Sequence, residues 1–168
     1  MQKGKIILPP NFTEIEGPLI FLAGPIHDAK DWQSEAIRLI HGEFPHINIA
    51  SPRRAQLDES FVYEDQVDWE TFHLRRAGEN GTILFWLSNE SDHPYGIAFA
   101  QTTRFELAEW MMRHIRDSAN LAVGMEEDFT GGQYLKHRFA KDCPDVPISH
   151  SLEETCTVAA KMAEDCVS

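Results

Sequence analysis

Two uninterrupted apolar runs, Pro18-Leu19-Ile20-Phe21-Leu22-Ala23 and Thr82-Ile83-Leu84-Phe85-Trp86-Leu87, constrain the fold of this chain most. Each is as long as a strand, and neither alternates with polar residues. A strand apolar on both faces must be covered on both, as the central strands of a parallel sheet are. Parallel neighbours need a crossover between them, usually a helix. Helical spacing fills the gaps: residues 31–40 carry Trp32, Ala36, Ile37 and Ile40, and residues 62–77 carry Trp69, Phe72, Leu74 and Ala77. Further strands are read at 47–50, 120–124 and 146–149, and further helices at 103–115, 133–140 and 151–164. Strand and helix thus alternate five times after an irregular lead-in over residues 1–16, which Pro9-Pro10 interrupts. The pattern predicts an α/β domain spanning 1–168, with a parallel five-stranded sheet, helices on both faces and right-handed crossovers.

Composition excludes several function classes. The formal net charge is −12, from 15 basic and 27 acidic residues. A nucleic-acid polymer needs clustered Lys and Arg to displace counterions, so none is expected as partner. A single nucleotide is a different matter, because backbone N–H groups can hold one phosphate. No apolar run approaches the roughly 18 residues of a membrane span, and the N-terminal apolar stretch is too short for a signal peptide. A cytoplasmic location is the expectation. Cys143, Cys156 and Cys166 lack CxxC spacing and are read as reduced thiols. The eight histidines show no HxxxH or HExxH spacing. Each is read as a surface or loop residue, and no metal or cofactor is expected.

In an open α/β sheet, ligands sit beyond the carboxyl ends of the strands. The loops expected there are Gly24-Pro25-Ile26, Ser51-Pro52-Arg53-Arg54, the loop over 88–100 with Pro94 and Gly96, and Gly124-Met125-Glu126. None is a GxGxxG or a GxxxxGK[ST], so dinucleotide binding and P-loop hydrolysis lack their anchors. Nor is there a Gly-x-Ser-x-Gly elbow. Carboxylates remain. Thr102-Thr103-Arg104-Phe105-Glu106 opens a helix after the third strand, residues 82–87. In a first turn, unpaired N–H groups and the helix dipole would keep Glu106 ionised, as a carboxylate nucleophile must be. The competing structural role is a capping box between Thr103 and Glu106. The preceding helix holds Glu64, Asp65, Asp68 and Glu70. They are either a solvated acidic face or a source of one or two partners for Glu106. Such a pair suits retaining glycosyl transfer, where two carboxyl groups lie ~5 Å apart. Trp32, Trp69, Trp86 and Trp110 fit core faces, with stacking on a base as the alternative for one of them.

Several segments together resemble the nucleoside 2-deoxyribosyltransferase superfamily, in its 2-deoxyribosyltransferase-like branch. They are Ile20-Phe21-Leu22-Ala23-Gly24-Pro25-Ile26, Trp32, Ser51-Pro52-Arg53-Arg54, the stretch from Gln66 to Ala77, the strand 83–87, and Thr103 to Trp110. The resemblance implies a flavodoxin-like, doubly wound sheet and cleavage or transfer of an N-glycosidic bond in a (deoxy)nucleoside or its 5′-monophosphate. It places the nucleophile on Glu106 and the acid that protonates the departing base on Glu70, with Asp68 next in line. Gly24, Pro25 and Ile26 would shape the pocket, with Trp32 beside them, and Arg104 would narrow it or pair with a phosphate. It also implies a homo-oligomer. The chain departs from the family pattern in three places. Phe21 and Leu22 stand where relatives carry a first-strand Tyr, Ala77-Gly78 followed by the extra residues Glu79-Asn80-Gly81 stands where Ala-Asp directly precedes the third strand, and bulky Arg104 and Phe105 precede a nucleophile that commonly lies between glycines. A non-catalytic nucleoside- or nucleotide-binding module is the second reading, and an acidic interaction protein the third.

Overall fold

The computed structural model describes residues 3–54, 60–92, 96 and 98–166. Pro94 lies outside them. The strands are β1 (Ile6–Ile7), β2 (Leu19–Ala23), β3 (Asn48–Ala50), β4 (Gly81–Leu87), β5 (Leu121–Met125) and β6 (Ile148–Ser149). The helices are α1 (Trp32–Glu43), α2 (Tyr63–Asn80), α3 (Gln101–Asp117), α4 (Gly132–Asp142) and α5 (Leu152–Asp165). All pairings are parallel, in the order β1-β3-β2-β4-β5-β6. The sheet therefore has six strands rather than five. The extra one comes from the lead-in, where Ile6 and Ile7 pair with Ile49 and Ala50. Two residues are too few for a periodicity to register, and only the open edge of β3 recruits them.

The long apolar runs behave as their composition requires. Every residue of β2, β4 and β5 is buried. Alternate residues of β2 and β4 feed two cores. Phe21, Ile83, Phe85 and Leu87 meet Trp69 and Leu74 of α2, Leu107 and Trp110 of α3, and Phe139 of α4. Ile20, Leu22, Leu84 and Trp86 meet Trp32 and Ala36 of α1 and Ala159, Ala160 and Ala163 of α5. Fully burying one large apolar side chain contributes about 1.5–3 kcal/mol, so these two layers dominate the fold. No described helix is long and apolar enough to cross a membrane.

The four tryptophans are all core residues, 0–5 % exposed. Two of the indole N–H groups tie loops down: Trp69 Nε1 donates to the Asn11 carbonyl at 2.8 Å and Trp32 Nε1 to the Pro25 carbonyl at 2.9 Å. Gly78 in α2 lies against the Trp110 ring of α3, so closely that a Cβ there would overlap it. The glycine that departs from the family pattern thus sets how near these two helices come. His73 departs from the expectation of surface or loop histidines. It is 1 % exposed, its Nδ1 bonded to the Trp69 carbonyl, and burial lowers its affinity for a second proton. All three cysteines are free. Burial pushes the Cys156 thiol up to about 12, which leaves it inert.

Candidate active site

The chain runs outward from β2 to β3 and then returns to β4 on the other side of β2. The crevice beyond β2 and β4 is the switch point of the sheet, where such folds bind ligands. A cavity of about 740 Å³ occupies it. Four chain segments wall it: Phe21 and residues 23–28 from β2 onward, residues 52–54 after β3, Phe61 with the first half of α2, and residues 98–103 with Glu106 entering α3.

The β2–α1 loop is held rigidly. Gly24 packs against the Trp86 carbonyl and the Trp32 ring with no room for a Cβ. Arg53 donates to Gln33 at 2.9 Å and to the carbonyls of Ile26 and Lys30 at 3.2 and 3.3 Å. It also pairs with Asp31 at 3.2 Å. Opposite, Ala29 bridges Glu90 and the Ser91 N–H donates to the Asp28 carbonyl at 2.6 Å, joining this loop to the one after β4. Gly24, Pro25 and Ile26 all line the cavity. Trp32 does not. It lies beneath Gly24 and supports the floor from the core.

Three acidic side chains line the cavity, Asp28 from the loop after β2, Glu70 from α2 and Glu106 from α3, and of these the two glutamates stand on helices. Glu70 accepts from Gln66 Nε2 at 2.7 Å; the Gln66 Oε1 in turn accepts from Arg54 Nε at 2.7 Å. Burial raises the Glu70 carboxyl above the usual range, opposed by the Gln66 bond and by the charges of Arg54 and His27. Asp68 lies about 200° around the helix from Glu70; it is exposed and outside the cavity lining. The helix period, not the count of acids, decides which of them joins Glu106.

Glu106 differs from both expectations for it. Helix α3 begins at Gln101, two residues before the sequence pattern suggests, with Ala100 in the left-handed region at φ 57° and no side-chain cap. Thr103 is thus inside the helix, and the Thr103–Glu106 capping box does not form. Glu106 lies beyond the first turn, where the helix dipole has faded. Burial then governs it. The carboxyl is pushed up to about 8, by burial first and then by the negative charges of Glu70 and Glu109. Both effects favour the protonated carboxyl, whereas a helix terminus would favour the ionised one.

Arg104 turns away from the cavity. It donates to the Thr130 carbonyl at 2.6 Å and lies 4.6 Å over the Phe129 ring, fastening α3 to the loop after β5. The sequence places Arg54 in a loop at the carboxyl ends, Gln66 at the head of a family-like stretch and Thr103 in a capping box, and marks none of them as a pocket residue; all three line the cavity. Gln66 precedes Glu70 by one helical turn on the same face, a spacing that could have exposed it. Phe21, in the first long strand, is 1 % exposed and forms part of the lining. Where the family pattern has a hydroxyl, this wall is hydrocarbon.

A comparison with curated proteins finds no match to this chain. Among solved structures, a conserved protein from Enterococcus faecalis V583 superposes with a TM-score of 0.51 at 12 % identity, covering 87 % of this chain and 98 % of that one. At that identity the likeness concerns the fold. The profile of the family described as "nucleoside 2-deoxyribosyltransferase like" matches residues 17–129, which run from two residues before β2 to the loop after β5 and include every segment that walls the cavity. The chain belongs to the nucleoside 2-deoxyribosyltransferase-like family.

Proposed function

We propose that this protein cleaves or transfers the N-glycosidic bond of a (deoxy)nucleoside or its 5′-monophosphate, with Glu106 as nucleophile and Glu70 as acid. One observation carries the reading: two carboxyl groups from successive helices share one cavity at the switch point, close enough for the charge of Glu70 to raise Glu106. A coupled pair of this kind loses its protons in two steps that belong to both groups. Burial and the Glu70 charge favour the proton on Glu106 in the pair as it stands; the productive form has that proton moved to Glu70 and the charge on Glu106. A Glu106 oxygen attacks the anomeric carbon, the C–N bond breaks, and its electron pair leaves with the base nitrogen, which takes the Glu70 proton. Water or a second base then attacks the same carbon, giving its proton to Glu70 as the ester bond returns its electrons to Glu106. Two inversions give net retention.

The test is a screen of deoxynucleosides and their 5′-monophosphates, with and without an acceptor base, using wild type and Glu106→Ala. Base release by wild type that falls to background in the variant supports the assignment. Equal rates in both would reject Glu106 as nucleophile. A non-catalytic nucleotide-binding module is the second reading, favoured by Phe21 in place of a hydroxyl and by the burial that raises the Glu106 carboxyl. Calorimetric binding of a nucleoside monophosphate without base release would select it.

A further inference from the structure

We propose that Gln66 is a positioning residue that directs the Glu70 proton toward the leaving base; the inference deepens the glycosidic reading above and rests on it. Gln66 Nε2 donates to Glu70 Oε1 at 2.7 Å and to the Pro52 carbonyl at 3.2 Å, while its Oε1 accepts from Arg54 Nε at 2.7 Å. An arginine only donates and a main-chain carbonyl only accepts. The amide of Gln66 therefore has one orientation, with its N–H pointing at Glu70. In consequence Glu70 Oε1 is an acceptor in both protonation states, and the transferable proton resides on Oε2. Within α2 the two residues stand one turn apart, so the backbone holds this geometry.

The same bond acts during the reaction. As the C–N bond breaks and its electron pair takes the Oε2 proton to the base, Glu70 becomes a carboxylate. Its bond from Gln66 is then charge-assisted and stronger than before. Gln66 thus stabilises the state in which the proton has left, a contribution made in the transition state and not in substrate binding. Arg54, stacked 5.0 Å over Phe61, polarises the amide from behind.

The decisive experiment varies the leaving group. Gln66→Met keeps the length of the side chain and removes the donor. With an ordinary purine deoxynucleoside its kcat should fall about tenfold to a hundredfold, the range of one hydrogen bond to a charged group in acid catalysis. With a deoxyriboside whose leaving group is a nitrophenolate, which departs without protonation, kcat should stay within about twofold of wild type. Glu70→Gln should show the same selectivity more strongly. Arg54→Met, which frees the amide to turn over, should show it more weakly, and serves if Gln66→Met does not fold. Equal loss on both substrates, or loss on neither while Glu70→Gln discriminates, overturns the role of Gln66 and leaves the glycosidic reading intact. If Glu70→Gln itself does not discriminate, the assignment of the acid fails and this proposal falls with it.

Discussion

Two hollows of similar size lie at opposite ends of the sheet, and their polar groups are used differently. The cavity at the carboxyl ends measures about 740 Å³, and the groove at the amino ends of β1 and β3 about 660 Å³. In the groove, charged side chains are spent on the backbone. Lys5 Nζ donates to the Glu14 carbonyl and Arg76 to the Ile15 carbonyl, both at 2.9 Å, and so hold the lead-in against the body. In the cavity, Glu70 and Glu106 share one partly apolar lining, and burial raises both carboxyl groups. Volume does not distinguish a site from a crease; perturbed titratable groups at a switch point do.

The largest expected contrast is catalytic. Glu106→Gln should reduce base release by about a thousandfold or more, as expected for loss of a nucleophile. Lys5→Met in the groove should leave the rate within about twofold, because it touches no substrate. A large loss from Lys5→Met, measured by the same assay, would break the distinction between the two ends.

Next comes the floor of the cavity. Gly24→Ala would drive a Cβ into the Trp86 carbonyl and the Trp32 ring. Overpacking of this kind costs about 1–3 kcal/mol. Denaturant unfolding should show the corresponding fall in midpoint, and an unchanged midpoint would mean that the loop yields.

A smaller effect separates the two ends by pH. Glu106 has a folded value near 8, above the ordinary carboxyl value of 4.5. A raised acid stabilises the fold fully below its unfolded value, and that stability is lost as pH rises through the folded one. Wild type should therefore lose melting temperature relative to Glu106→Gln between about pH 5 and 8, by about 3 °C or more. Parallel curves for the two proteins would contradict the burial of Glu106. The finest test is spectroscopic. In Glu70→Gln, carbon NMR of the Glu106 carboxyl should show titration below 8, because one of the charges that raise it is gone.

The central strands were legible because hydropathy is a local property: a run apolar on both faces can only be covered on both. The four tryptophans, Gly24 at the strand end and the helix bearing Glu70 followed from the same kind of pattern. The two-residue β1 was not legible, since nothing in Ile6-Ile7 specifies a partner until the edge of β3 is in place. Arg104 beside Glu106 resembled a ligand contact by proximity in sequence, yet its side chain leaves the other way toward Thr130. Gln66 was overlooked because an amide has no charge to attract notice.

By itself, the amino-acid sequence determined the parallel α/β architecture, the loops that reach the carboxyl ends of the strands, and the candidacy of Glu106 and Glu70. Only the tertiary structure decided which acid of α2 faces the cavity and that Asp68 does not. It also decided that burial raises the Glu106 carboxyl, and that Gln66 and Arg54 stand behind Glu70. Periodicity depends on neighbours along the chain. A protonation state instead sums burial and charges contributed by segments far apart in sequence, which meet only when the sheet has formed.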